Sequence, residues 1–363
     1  AAGDPNGGLR EDNARRVDAL SGFVQYRVTG GPWSVTPGLR VEHVRIARTN
    51  LLPSVPVHGE TTLTEVIPGL GATYKVGRVT LFGGAHRGFA PPRPEDIIDN
   101  SRGTVIELEP ELSWNYELGA RSVIHDGINL EATLFRLDFE NQIVPQSVAG
   151  GTGATLTSAG RSLHQGLELG ARIHAAPLLG WRHDVFLEFA AMLLPTARFT
   201  GERYAFVGTS GNDVAGKIYA EQNAAGTRTR EHVAGNRLPY APRTAITAAL
   251  GATLRGGLHV RGEAVHTGRQ FGDVLNTLIL VPDGQQGPIP ATTIVNVAAS
   301  RALPVEGAWV MLAIKNLRDR TYLVDRTRGL LPGTPRLIHL GITYTVNGAR
   351  RSGTTEGAGG RVG

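Results

Sequence analysis

Trp114-Asn115-Tyr116-Glu117-Leu118-Gly119-Ala120-Arg121 alternates without a break. Neighbouring side chains of an extended strand point to opposite faces, so Trp114, Tyr116, Leu118 and Ala120 share one face and Asn115, Glu117, Gly119 and Arg121 the other. The division recurs along the chain. Val35, Pro37, Leu39 and Val41 oppose Thr36, Gly38, Arg40 and Glu42. Leu167, Leu169, Ala171 and Ile173 oppose Glu168, Gly170 and Arg172, while Leu258, Val260, Gly262 and Ala264 oppose His259, Arg261 and Glu263. One face is apolar; the other repeatedly carries full charges and glycines.

Between about Val17 and Val346 such segments, many of them roughly ten residues long, are joined by connections that alternate in length. Short joints are Gly30-Gly31-Pro32, Gly77-Arg78, His125-Asp126-Gly127 and Gly256-Gly257. Long ones cover 48–61, 90–110, 141–163, 198–242, 271–291 and 317–335. A transmembrane β-barrel sorts its connections this way, with tight periplasmic turns and long exterior loops. A soluble sheet alternates too, but its strands average about five or six residues. The expected fold class is therefore all-β, a transmembrane antiparallel β-barrel.

Composition agrees. The 363 residues include 48 glycines, 19% are charged, and mean hydropathy is only −0.11. Barrel strands show lipid on every second residue and so look half polar on average. No apolar stretch reaches the eighteen or so residues of a membrane helix. Cysteine is absent, which removes disulfides and thiolate chemistry. The net charge of +5 is spread over arginines, with Lys75, Lys217 and Lys315 the only lysines and aromatics at 6%. Nucleic acid binding wants a clustered basic stripe, so no nucleic-acid partner is expected. Residues 1–16 form a flexible lead without the basic and apolar regions of a signal peptide, which an outer-membrane protein needs. The expectation is a mature part or a fragment.

Counting gives about thirteen strands, near 17–28, 34–47, 62–75, 79–88, 111–124, 127–140, 163–174, 184–196, 243–255, 258–270, 292–302, 308–316 and 336–346. The apolar parity switches between Leu134 and Phe135, predicting a bulge near Leu134. Trp33, Trp181 and Trp309 lie at short turns, where an interfacial aromatic girdle belongs. Single-chain barrels have even strand numbers. An odd count, with the first turn already a periplasmic one, makes the first strand here an even-numbered strand of a larger barrel.

Four stretches resemble the TonB-dependent outer-membrane receptors. His86-Arg87-Gly88-Phe89-Ala90-Pro91-Pro92 is similar to the family's strand exit, and Leu108-Glu109-Pro110-Glu111 with Ser113 and Tyr116 to Arg121 resembles its L-x-P-E-x-S-x-x-Y-E-L-G-x-R strand. Gln165-Gly166-Leu167-Glu168-Leu169 matches its x-G-x-E-L strand. Asn316-Leu317-Arg318-Asp319-Arg320-Thr321-Tyr322 with Pro332-Gly333-Thr334-Pro335-Arg336 resembles its closing signature, and residues 328–336 look most like the ferric citrate branch. The resemblance implies a barrel of about 22 strands closed by a plug. Residues 17–346 would be its C-terminal part, with the plug and first strands absent. It further implies high-affinity uptake of a ferric siderophore or ferric citrate-like chelate in the bacterial outer membrane. The partners are then the TonB–ExbB–ExbD complex, reached through the plug, with lipid and lipopolysaccharide around the barrel. One departure is the Gly/Arg-rich tail 347–363, expected to be disordered, where the family usually ends on an aromatic.

No nucleophile elbow, zinc helix or phosphate loop occurs, so no catalytic residue, metal site or cofactor is expected, and iron enters only as part of the chelate. A passive porin-like channel and, behind it, an outer-membrane barrel enzyme are the alternatives. Guanidinium forks match carboxylates, so the arginine-rich loops suggest an anionic chelate. The candidate ligand contacts are His86, Arg87, Arg93, Arg161, His164, Arg203, Arg237, Arg326 and Arg328. His86, His164 and His232 also read simply as solvated loop residues. Arg40, Glu42, Glu117, Arg121, Glu168, Arg172, Arg261 and Glu263 should line the lumen, pairing across strands and with the plug.

Overall fold

In the computed structural model the described residues are 12–99, 104–105, 109–141, 143–144, 157–158, 161–200, 204–207, 229–254, 256–280, 284–327 and 329–345. Thirteen strands pair antiparallel in chain order into one sheet. They are β1 (Asn13–Gln25), β2 (Trp33–Asn50), β3 (Val57–Val76), β4 (Val79–Ala90), β5 (Glu111–His125), β6 (Ile128–Glu140), β7 (Ser162–His174), β8 (Asp184–Phe199), β9 (Thr244–Leu254), β10 (Leu258–Thr267), β11 (Thr292–Ala302), β12 (Ala308–Lys315) and β13 (Leu337–Tyr344). A short segment, Val28–Gly30, continues β1 against β2. β1 and β13 are the two edges of this sheet. Positive φ at Gly31, Gly77, Gly256 and Gly257 lets the tight turns close. The turn between β7 and β8 holds the five-residue helix α1 (Ala175–Leu179).

Register sorts the faces as the alternation requires. Leu118 stands opposite Leu134, Leu130 opposite Ala171, and Leu187 opposite Leu250. Leu118, Leu134 and Leu250 are 64%, 57% and 61% exposed. A water-soluble sheet would not offer such a belt to solvent, whereas lipid asks for it. The opposite face is concave and polar, with a cavity of about 810 Å³ bordered by Arg121, Glu131, Arg172, Glu188 and Arg261.

The structure departs from expectation in five places. β1 begins at Asn13, so 13–16 are strand and not flexible lead; residues 1–11 and the tail 346–363 lie outside the described residues. The expected long joint 48–61 is a tall hairpin, because β2 and β3 pair continuously from Trp33–Tyr74 up to Asn50–Val57. That ladder is longer than a membrane crossing of about 9–11 residues. Its outer face accordingly changes from Val41 and Val66 to a polar set in which His43 meets Thr64 at 2.8 Å and Arg45 binds Glu60 at 2.7 Å. Third, β6 has no bulge at Leu134: Thr133, Leu134 and Phe135 pair in register on both sides. The apolar parity switches there because the surroundings do. Above Leu134 the outer face carries Arg136 and Asp138, joined at 2.8 Å, while Phe135, Leu137 and Phe139 turn inward. Register shifts fall instead between Val123 and His125, at the β5–β6 turn, and where Gln165 and Leu167 face Thr196 and Leu193, beside Pro195, which has no N–H to give to a ladder. Fourth, Trp309 is not part of an outer girdle; it lies on the inner face, 5.6 Å from the His259 ring. Fifth, short hairpins decorate the exterior loops, among them Tyr204–Val207 with Thr229–His232.

Inner-face glycines have a packing reason. Phe82, Phe135 and Phe186 each lie flat across the glycine directly opposite: Gly119, Gly166 and Gly251. A Cβ on Gly166 would stand 2.6 Å from Phe135 Cζ and 2.5 Å from the Leu193 carbonyl oxygen. On Gly71 it would meet nothing within 4 Å. Gly166→Ala should therefore cost about 1–3 kcal/mol, and Gly71→Ala should be neutral within about 0.5 kcal/mol. Thermal unfolding in detergent, followed by tryptophan fluorescence, checks this; equal melting temperatures for the two variants would contradict it.

Candidate functional site

The inner wall carries a connected set of charges. Arg172 on β7 binds Glu188 on β8 at 2.9 Å, and Arg261 on β10 also contacts Glu188. Arg261 further meets Glu263 at 3.3 Å, and Asn296 on β11 donates to Glu263 at 3.0 Å. β9 lies between but offers only Ala249 and Gly251 in these rows, so the guanidinium of Arg261 can cross it. Arg40 pairs with Glu42 along one strand. Arg121 rests 5.7 Å from the Phe82 ring. All eight predicted lumen residues share the inner parity, but Glu117, Arg121 and Glu168 make no ion pair among the described residues. Glu188 and Asn296 join this set although neither is among the residues expected from the sequence to line the lumen. Glu188 was detectable from its place between Leu187 and Phe189; Asn296, one neutral residue in an apolar run, was not.

The predicted ligand contacts separate. His86 is exposed on the inner face. Arg87 is on the outer face, 3.3 Å from Glu140 and 5.6 Å from the Trp114 ring, which corrects its assignment to the mouth. Arg93 precedes the 3-10 turn Pro94–Ile97, whose Ile97 packs with Ile98, Val44 and Ile46 against the inner wall of the tall hairpin. Arg161 is exposed at the foot of β7. His164 faces inward, edge-on to Phe139 at 5.3 Å, and its Nε2 is enclosed with no hydrogen-bond partner among the described residues. Arg203 and Arg328 lie outside the described residues.

Arg237 and Arg326 are the larger correction. Both are buried, at 9% and 3% exposure. Arg237 donates to the carbonyls of Ala241, Pro195 and Leu194 at 2.8, 3.1 and 2.7 Å. Arg326 donates to those of Pro288 and Gly284 at 3.1 and 2.8 Å. Burial lowers both guanidinium pKa values from the usual arginine range. These side chains are buried against backbone carbonyls and are not presented to a chelate.

What they build is a braced mouth. Asn276 exchanges two 2.7 Å bonds with the Arg237 backbone, tying loop 268–291 to loop 200–243. Buried Asp273 accepts from Leu275 N, Thr277 N, Thr277 Oγ1 and Gly287 N. The Tyr240 hydroxyl donates to Asp325 at 2.6 Å and accepts from the Arg326 backbone at 3.1 Å, bringing in loop 316–336. These bonds hold Tyr240 at φ 56°, a conformation unfavourable for an aromatic residue. The closing signature is structural as well. Asn316 bonds the Arg320 N–H and carbonyl and the Thr334 carbonyl, Asp319 accepts the Arg336 N–H at 2.8 Å, and the Tyr322 ring covers Gly333. The side chains these loops leave exposed include Leu278, Leu280, Leu330 and Leu331.

Burial alone would raise the Asp325 carboxyl, but hydrogen bonds from Thr327 and Tyr240 outweigh it and bring it to about 2. A depressed carboxylate stabilises fully above its unfolded value of about 3.9 and loses that contribution as pH falls through its folded one. Loop bracing by Asp325 should therefore be complete above about pH 4 and fade towards pH 2. Tyr240→Phe removes a donor and should move the titration upward towards the ordinary carboxylate range, read from the carboxyl carbon chemical shift; an unmoved midpoint would contradict the arrangement.

Residues 1–317 match the family model described as TonB dependent receptor-like, beta-barrel. Among solved structures the chain resembles the unliganded ferric citrate transporter FecA, with TM-score 0.68 and 19% identity over 94% of this chain and 47% of that one. It also resembles the siderophore receptor PiuA from Acinetobacter baumannii, at TM-score 0.69 and 18% identity over 92% and 44%. A third is the ferric yersiniabactin uptake receptor FyuA from Yersinia pestis, at 0.60 and 16% over 91% and 45%. At these identities the likeness is one of fold, and the chain spans less than half the length of each. The family comprises receptors and transporters, not enzymes. With an antiparallel sheet of matching architecture and a family match over most of its length, this chain belongs to the TonB-dependent receptor β-barrel family.

Proposed function

We propose that the chain is the C-terminal part of an outer-membrane receptor for TonB-energised uptake of a ferric chelate, of the siderophore or ferric citrate-like class. The observation that carries this reading is the braced mouth above a polar, incompletely neutralised inner wall. Three exterior loops are tied into one rigid frame, which pre-organises a ligand surface and lowers the ordering cost of binding. The wall below leaves Glu117 and Glu168 without partners among the described residues, positioned for cations of a plug. FecA as a ferric citrate transporter, PiuA as a siderophore receptor and FyuA as a ferric yersiniabactin uptake receptor support this chemical class.

In this mechanism no bond is made or broken, and iron is cargo. The loaded chelate docks on the exterior loops and against His86, Arg93 and Arg161, the candidate contacts that the structure leaves exposed. The TonB–ExbB–ExbD complex then acts on the plug, and the chelate passes along the polar wall to the periplasm. Lipid meets the aliphatic belt, and lipopolysaccharide meets the polar outer face of the tall hairpin. A passive channel is the second reading; it predicts an ion conductance that chelate does not block.

Calorimetric titration of the full-length receptor with loaded and iron-free chelates tests the proposal. Preference for one loaded form is expected, and no preference for any would end the iron-uptake reading. Arg161→Gln should weaken a carboxylate chelate about tenfold, the loss of one charge-assisted hydrogen bond. Arg87→Gln, on the outer face, should leave affinity within about twofold.

A further inference from the structure

The wall charges and the last exterior loop are joined by one residue. Asn296 uses both ends of its side-chain amide: Nδ2 donates to Glu263 Oε1 at 3.0 Å, and Oδ1 accepts the backbone N–H of Asn316 at 3.0 Å. Asn316 is 2% exposed and holds both arms of loop 316–336, at Arg320 and at Thr334. On the other side Glu263 belongs to the chain of contacts that runs through Arg261 and Glu188 to Arg172. The path is continuous from the inner wall at β7 to the base of an exterior loop. Leu317, next along, docks its N–H on the Val295 carbonyl at 2.7 Å, so the loop base sits on β11 itself.

We infer that Asn296 is a positioning residue that couples the charge state of the inner wall to loop 316–336. Glu188 holds two guanidinium groups at once. Removing its charge releases Arg261 to draw more strongly on Glu263, and Glu263 is the acceptor for Asn296. A weakened Asn296 then loosens the acceptor that fixes Asn316. Any group that enters the lumen and competes for Glu188 or Arg261 would act on the loop in the same way. The relevance of this coupling to chelate uptake rests on the function proposed above; the coupling itself does not.

The test is hydrogen exchange, read by mass spectrometry, on the detergent-solubilised protein without ligand. Glu188→Gln and Asn296→Leu should each speed exchange of the 316–336 amides about tenfold. Their double variant should gain little beyond either single, because both cut one path. Glu188→Asp, which keeps the charge, should restore protection. Glu60→Gln, which breaks an outer-face pair, is the control and should leave the loop unchanged. Exchange within twofold of the parent in Glu188→Gln would overturn the inference, as would an equal acceleration in Glu60→Gln. If Glu188→Gln does not fold, Arg172→Gln decides in its place: it leaves Glu188 to Arg261 alone and so draws Arg261 away from Glu263, which should slow exchange of the 316–336 amides, and exchange at or above the parent's rate would overturn the inference. Chelate affinity does not enter the readout, so failure here would leave the uptake reading standing.

Discussion

Backbone hydrogen bonding in the absence of water is the constraint on which everything else depends. Within the hydrocarbon of a membrane an unpaired N–H or C=O has no solvent to turn to, at a cost of several kcal/mol each. The thirteen strands answer by pairing neighbour to neighbour in chain order through long registers, the longest running unbroken between β2 and β3. Once every second residue must face lipid, the remaining half of each strand is freed to be polar. The alternation of Leu118 and Leu134 with Glu117 and Arg121 is a consequence of that pairing.

The inner face then has its own problem, because charges and rings must fit on a curved wall. Phe82, Phe135 and Phe186 are accommodated by opposing glycines, and the arginines by carboxylates one or two strands away. Small residues on β9 let Arg261 reach across it. The exterior loops have only short ladders, so side chains supply the rest. Arg237, Arg326, Asp273 and Asn316 bind the backbone groups that a strand would have satisfied. A mouth made this way is rigid where its arginines and acids are buried, and what it presents outward is partly aliphatic.

Much of this was legible in the residues, and the misses have physical causes. Strand number, order and face were readable from alternation. Strand ends were not, since the tall hairpin continues past the lipid belt where the outer face turns polar but pairing does not stop. The apolar switch at Leu134 looked like a bulge because a change of environment and a change of register leave the same trace in one strand; only the partners tell them apart. Loop arginines looked like ligand contacts because composition records charge and not burial. Arg87, Arg237 and Arg326 show three different fates for one residue type: paired on the outer face, buried against the carbonyls beside β8, and buried against those of a neighbouring loop.

By itself the sequence determined the period of the side chains, the sidedness of the connections and the family, because these depend on local geometry and on the membrane as solvent. Tertiary structure alone decided which charges meet, which arginines are consumed by backbone, and that Asn296 joins the wall to the last loop. Those outcomes depend on residues far apart in the chain, such as Arg261 and Glu188 or Tyr240 and Asp325, brought together by register and loop packing that no local pattern encodes.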